Sequence, residues 1–292
     1  MTWRATVPCS RVQGEAIAEA DLFSLDDGAP VLVADEPDPA APDAWIIHAY
    51  FDHSPTSEEI AMVSGLGTGP LKIEQVDERD WVTMSQAGLQ PIRAGRFHVH
   101  TPTYPSDPEC INFEIDAGLA FGTGQHATTA GCLDALDGLQ REGARFRNIA
   151  DIGTGTGLLA FAALALWPEA RCIASDIDPI AVDVARENAA INSVRLGHKQ
   201  GELLLATADG IDSPLLSARA PFDLIIANIL AGPLIDLAPN FANVLLPGGT
   251  IVLAGLLTNQ VGAVSRAYER EELEIAAQGI GEWPVLVCTR PS

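Results

Sequence analysis

The stretch Asn148-Ile-Ala-Asp-Ile-Gly-Thr-Gly-Thr-Gly157 decides how the chain is read. Its apolar run, residues 149–152, predicts the end of a buried strand. Gly153, Gly155 and Gly157 alternate after it and let the backbone turn sharply. Leu158-Leu-Ala-Phe-Ala-Ala-Leu-Ala-Leu166 then continues as a helical pattern. Strand, glycine turn and helix form the local unit of a doubly wound sheet. Such a sheet exposes helix-end amides to a ligand at the carboxyl edge of its strands.

Outward from this turn, the chain from residue 117 on reads as strands separated by helices, the pattern of a parallel sheet. Strands are expected at 146–152, 170–176, 222–228, 250–254 and 285–289. Helices are expected at 128–139 and at 179–191, the second capped by Asp178 with Pro179 at its first position. Residues 3–80 read differently. Strands at 3–9, 31–33, 45–51 and 71–76 alternate with helices at 15–25 and from 57, the latter with Ser57 as cap. The order β-α-β-β-α-β is that of a ferredoxin-like α+β sandwich. Between the halves, 80–91 predicts a short helix and turn. Residues 96–101 and 111–115 predict a hairpin around a proline-rich loop, and the region is the natural hinge. The expected domains are therefore 1–80, a connector at 81–115, and 116–292.

With 292 residues the chain has room for two cores. No apolar run reaches the roughly 18 residues of a membrane span. The first residues lack the basic-then-apolar layout of a signal peptide. Five scattered cysteines, with no C-x-x-C, predict a cytoplasmic protein with neither disulfides nor a metal site. His48 and His53 have no chemical company in the sequence and are expected to be structural. A net charge of −22 disfavours direct nucleic-acid binding and favours a basic partner.

The glycine turn is not a nicotinamide fingerprint, because Leu158 stands where G-x-G-x-x-G needs its third glycine. Nor does a Gly-Lys-Ser/Thr ending follow, so phosphates are not its ligand. Asp151, at the strand end, suits a ligand carrying positive charge. Asp176 lies 23 residues beyond Gly153, at the end of the next strand, where a carboxylate accepts hydrogen bonds from ribose hydroxyls. Free ribose hydroxyls and a cationic centre together describe S-adenosylmethionine. The residues 151–157 match D/E-x-G-x-G-x-G, the first motif of the Rossmann-like seven-stranded S-adenosylmethionine-dependent methyltransferases, which this stretch resembles.

Two further stretches narrow the resemblance. Asp116-Ala-Gly-Leu-Ala-Phe-Gly-Thr-Gly-Gln-His-Ala-Thr-Thr129 is a second glycine-rich loop leading into a helix, and Asn228-Ile-Leu-Ala-Gly-Pro-Leu234 closes the fourth strand. Together they resemble the PrmA family, which methylates large-subunit ribosomal protein eleven. The resemblance runs from Asp116 to near the end of the chain, and Asp80-Trp81 with the adjoining expected hairpin is similar to the family's connecting region. It implies that Thr129, Gly153, Asp176 and Asn228 meet the cofactor, with Asp151, Gly155 and Gly157 completing the turn. It also implies a ribosomal protein as partner, a substrate-recognising N-terminal domain and a monomer outside any membrane.

Asn228 also speaks to the chemistry. Enzymes that methylate planar nitrogens follow Asn or Asp with Pro-Pro and an aromatic ring, which stacks on the flat substrate. Here Ile229, Leu230 and Ala231 offer no ring. A tetrahedral amine needs no stacking, so the expected acceptors are α-amino and lysine ε-amino groups; a small-molecule amine is the alternative. An apolar pocket of Leu119, Phe121 and Leu230 is expected to favour the uncharged amine. His126 is the candidate to pass its proton on.

Overall fold

A computed structural model describes residues 2–19, 30–35, 44–51, 53–76, 90–115, 125–211, 213–278 and 283–292. The chain forms two compact units, Met1–Ala87 and Gly88–Ser292. No helix among the described residues is long and apolar enough to cross a membrane.

The first unit runs β1 (Thr2–Ser10), α1 (Arg11–Glu19), β2 (Val31–Asp35), β3 (Ala44–Phe51), α2 (Ser57–Leu66) and β4 (Lys72–Val76). Its sheet is antiparallel throughout, in the order β2-β3-β1-β4. Alternate residues Ala5, Val7 and Cys9 of β1 and Ile47, Ala49 and Phe51 of β3 share a core with Val63 of α2. Two helix starts differ from expectation. Helix α1 begins at Arg11 because Ser10 and Gln13 cap it reciprocally, Ser10 N donating to Gln13 Oε1 (3.0 Å) and Gln13 N to Ser10 Oγ (3.4 Å). Residues 20–25 of the expected helix lie outside the described residues. Helix α2 is capped by Thr56, not Ser57: Glu59 N donates to Thr56 Oγ1 (3.4 Å) and Thr56 N to Glu59 Oε2 (2.6 Å). The same carboxylate takes His53 Nε2 at 3.1 Å, while His48 Nδ1 lies 3.0 Å from Thr6 Oγ1.

The second unit opens with β5 (Ile92–Ala94), β6 (Phe97–His100) and β7 (Ile111–Glu114). The expected hairpin of 96–101 with 111–115 is not formed. Strand β6 pairs antiparallel with β5 across a two-residue turn at Gly95 (φ +53°), and β7 runs parallel to β6. The loop can return the chain because Asn112 organises it. Its Nδ2 donates to the carbonyls of Asp107 (2.7 Å) and Cys110 (2.9 Å), and its Oδ1 accepts from Asp107 N (2.7 Å). The expected helix and turn at 80–91 falls almost wholly outside the described residues.

The rest alternates: α3 (Gln125–Arg141), β8 (Asn148–Ile152), α4 (Leu158–Leu166), β9 (Arg171–Asp176), α5 (Pro179–Ile191), β10 (Leu203–Thr207), α6 (Pro214–Arg219), β11 (Phe222–Asn228), α7 (Ala231–Val244), β12 (Leu245–Ala254), α8 (Val261–Glu269), β13 (Glu274–Gln278) and β14 (Val285–Thr289). The seven strands lie in the order β10-β9-β8-β11-β12-β14-β13, with β14 antiparallel to both its neighbours. Central strands are apolar on both faces because helices cover both. Leu224 and Ile226 enter a core with Leu133 of α3 and Phe161 of α4, whereas Ile225 and Ala227 enter one with Phe241 of α7 and Tyr268 of α8. Phe97, Val99 and Phe113 belong to the first of these cores, so residues 92–115 pack as part of this unit. Asp137 of α3, almost fully buried, is ion-paired with Arg96 and Arg141 and ties the small sheet to that helix.

Candidate active site

The order of the seven strands fixes where a ligand can sit. From β8 the chain moves outward on one side to β9 and β10, then returns to place β11 on the other side. Beyond the carboxyl ends of β8 and β11 the flanking connections diverge, which leaves a crevice at this switch point. Gly153 follows β8, Asp176 ends β9 and Asn228 ends β11, so three of the expected residues converge there.

The glycines are required by the backbone they adopt. Gly153, Gly155 and Gly157 have φ of +72°, +53° and +85°, a left-handed region costly for any residue with a Cβ. The turn is pinned to β9: Gly153 N and Thr154 N both donate to Ser175 O, at 2.8 and 2.9 Å. Gly155 N donates to Asp176 Oδ2 at 2.9 Å. Among the described residues no atom lies within 4 Å of where a Cβ on Gly155 would stand, so they leave the turn open at that point. Asp176 Oδ1 accepts from Asp178 N (3.1 Å), which sets the carboxylate against the first turn of α5.

Asp151 is 1 % exposed. Its Oδ2 accepts the Thr154 hydroxyl at 2.6 Å, and its Oδ1 has no partner among the described residues. Burial pushes this carboxyl up to about 7; the Thr154 hydroxyl and the Ala160 amide oppose the shift, and the charge of Asp176 adds to it. An orphaned, buried carboxylate oxygen beside an open glycine turn fits a ligand that brings a cation or a donor.

Asn228 is half-buried, and its Nδ2 lies 3.5 Å from Thr129 Oγ1 on α3, itself 7 % exposed. That contact leaves Oδ1 as the available acceptor of the amide. Leu230, an expected pocket wall, is 74 % exposed and precedes α7. Leu119 and Phe121 lie outside the described residues. His126 occupies the second position of α3, but its side chain is outside them too.

Sequence reasoning missed three contributors. Thr154 holds Asp151, and the Ser175 carbonyl anchors the turn; the first is an ordinary residue of the motif, the second of β9, and neither carries a separate signal. The third is Gly255, which follows the apolar end of β12 just as Gly153 follows β8, a parallel visible in the sequence.

The family model for ribosomal protein L11 methyltransferase (PrmA) matches residues 11–291. A ribosomal protein L11 methyltransferase of Brucella suis is 44% identical over 254 residues, covering 85% of each chain. One from Rhizobium leguminosarum bv. trifolii is 45% identical over 218 residues, covering 74% of this chain and 72% of the relative. A solved structure, the ribosomal protein L11 methylase of Lactobacillus delbrueckii subsp. bulgaricus, is 27% identical with a TM-score of 0.58. It is covered completely and covers 70% of this chain. With the seven-stranded sheet and the glycine turn of Asp151–Gly157, these matches place the chain in the ribosomal protein L11 methyltransferase family, PrmA.

Proposed function

We propose that this protein methylates ribosomal protein L11 at α-amino and lysine ε-amino groups, with S-adenosylmethionine as donor. The observation that carries the reading is the placement of Asn228, its amide held toward Thr129, beside the glycine turn with no aromatic ring after it. The residues that would hold the cofactor are Asp151, Gly153, Gly155, Gly157 and Asp176 around the turn, with Thr129 and Asn228 on the far side of the crevice. When bound, S-adenosylmethionine supplies an electrophilic methyl group on a sulfonium.

Everything else falls to the chain. The Asn228 Oδ1 accepts an N–H of the incoming amine and fixes the direction of its lone pair. The absence of a ring leaves room for a tetrahedral nitrogen. A lysine amine, with an ordinary pKa near 10.4, must first give up a proton, at a cost of about 4 kcal/mol at pH 7.4. Exclusion of water from the crevice lowers that cost by penalising the ammonium form. His126, at the head of α3, is the residue proposed to carry the proton away. The net charge of −22 draws a basic substrate in, and residues 1–80 are proposed to grip it. Orientation of the two reactants supplies most of the acceleration.

The test is transfer of tritiated methyl groups to purified ribosomal proteins, with Asn228→Ala as the control. Label in L11 that is lost in the variant supports the reading. Label in RNA, or equal label with both enzymes, refutes it.

A further inference from the structure

Gly255 follows the last residue of β12 at φ +84°. A Cβ built there would stand 2.3 Å from the Ile229 carbonyl oxygen, 2.8 Å from its carbonyl carbon and 3.0 Å from its amide nitrogen. These are backbone atoms and cannot swing aside as a side-chain tip can. On the opposite side, a Cβ built on Gly153 would stand 2.2 Å from Ile229 Cγ2. Strand β11 lies between β8 and β12, with Asn228 paired to Ala254 and Ala227 to Ile152. Ile229 is thus wedged between the glycines that follow its two neighbouring strands. Its side chain bears on the glycine turn and its backbone on Gly255.

The segment after Gly255 is anchored. Leu256 is fully buried in the core of α7 and α8, and Gln260 Oε1 accepts from Leu257 N at 2.9 Å, which fixes the segment after Gly255. A shift of Ile229 away from residue 255 drives it into residue 153. Because Asn228 is bonded to Ile229, its depth in the crevice follows the same wedge.

We propose that Gly255 is a positioning residue for methyl transfer: its bare Cα lets the end of β12 seat Ile229, and so Asn228, where the Asn228 amide meets the amine. The proposal rests on the reading of Asn228 as the acceptor-site residue.

The experiment compares full-length wild type, Gly255→Ala, Ile229→Ala, the Gly255→Ala/Ile229→Ala double variant and Asn228→Ala. It measures kcat and KM for ribosomal protein L11 per folded molecule, with the thermal midpoint of each. Misplacement predicts that Gly255→Ala lowers kcat roughly tenfold to a hundredfold. Its KM for L11 should stay within about threefold of wild type. Removing the Ile229 side chain gives the displaced backbone room. The double variant should therefore melt higher than Gly255→Ala without regaining turnover. A kcat near wild type in Gly255→Ala, or turnover restored in the double variant, overturns the proposal. So does failure of both variants to fold, since Gly255 would then be a residue of the fold and not of the site. Wild-type kcat in Asn228→Ala would instead remove the reading beneath it. Loss of turnover in Asn228→Ala, with Gly255→Ala unaffected, would sink the positioning role alone.

Discussion

The Thr154 hydroxyl donates to Asp151 at 2.6 Å and satisfies one oxygen of a carboxylate whose other oxygen is buried and unpartnered among the described residues. An acid in that position holds its proton far more tightly folded than unfolded. The unfolded chain releases it near the ordinary carboxylate value, whereas the folded chain keeps it until about 7. The stability this group contributes is therefore complete below about pH 4 and is lost as pH rises to 7, about 4 kcal/mol in all at roughly 1.36 kcal/mol per unit. Denaturant titrations from pH 5 to 8 should show the ligand-free wild type weakening while Asp151→Asn stays nearly flat. Parallel curves would refute this origin.

A ligand that brings positive charge to Asp151 must find it ionised. Affinity for S-adenosylmethionine should accordingly fall by up to about tenfold per pH unit below 7. Calorimetry in buffers of different ionisation enthalpy would register the released proton. In Asp151→Asn both the proton release and the slope should vanish, with weaker binding at pH 8.

Asp176 accepts two backbone amides, those of Gly155 and Asp178, and so holds the turn against α5. Asp176→Ala should cost about 1–3 kcal/mol of stability by orphaning those amides. It should also weaken cofactor binding at least about tenfold if, as proposed, Asp176 holds the ribose hydroxyls. An unchanged dissociation constant would separate this carboxylate from the cofactor.

Two glycine substitutions should act in opposite directions. A Cβ on Gly157 (φ +85°) would stand 2.6 Å from Phe161 Cζ and 3.2 Å from Ala185 Cβ. Strain and overpacking together predict a loss of about 2–4 kcal/mol for Gly157→Ala. Gly138, inside α3, has nothing among the described residues within 4 Å of its Cβ position, and Gly138→Ala should gain about 0.4–1 kcal/mol. Chemical denaturation of both variants checks the pair.

Much of this architecture is written in local signals, and what is not is non-local. The apolar runs at β8 and β11, the glycine turn and the Asp178-Pro179 helix start are all legible because each is set by adjacent residues. Strand β10 escapes a sequence reading because Leu203-Leu-Leu-Ala-Thr207 is too short to tell a strand from a buried helix turn. The parallel pairing of β6 with β7 is hidden for a different reason. Two strands joined by a ten-residue loop suggest a hairpin, and the other solution depends on contacts within the loop, those of the Asn112 side chain among them, that the sequence does not announce. At the site, Asp151 and Asp176 stand out from the glycine motif and its spacing, and Asn228 through the family resemblance of its stretch. The wedging of Ile229 cannot, since it depends on which strand becomes the neighbour of which.

The order in which the crevice residues are made also sets a clock for synthesis. The glycine turn leaves the ribosome when just over half of the chain has been made, and Asn228 and Gly255 follow 75 and 102 residues after Gly153. At ordinary elongation rates the last of them emerges about 5–20 s later. Until β11 emerges β8 lacks one of its two neighbours, and until Gly255 follows Ile229 has no seat. A nascent chain can fold its first unit well before it can transfer a methyl group.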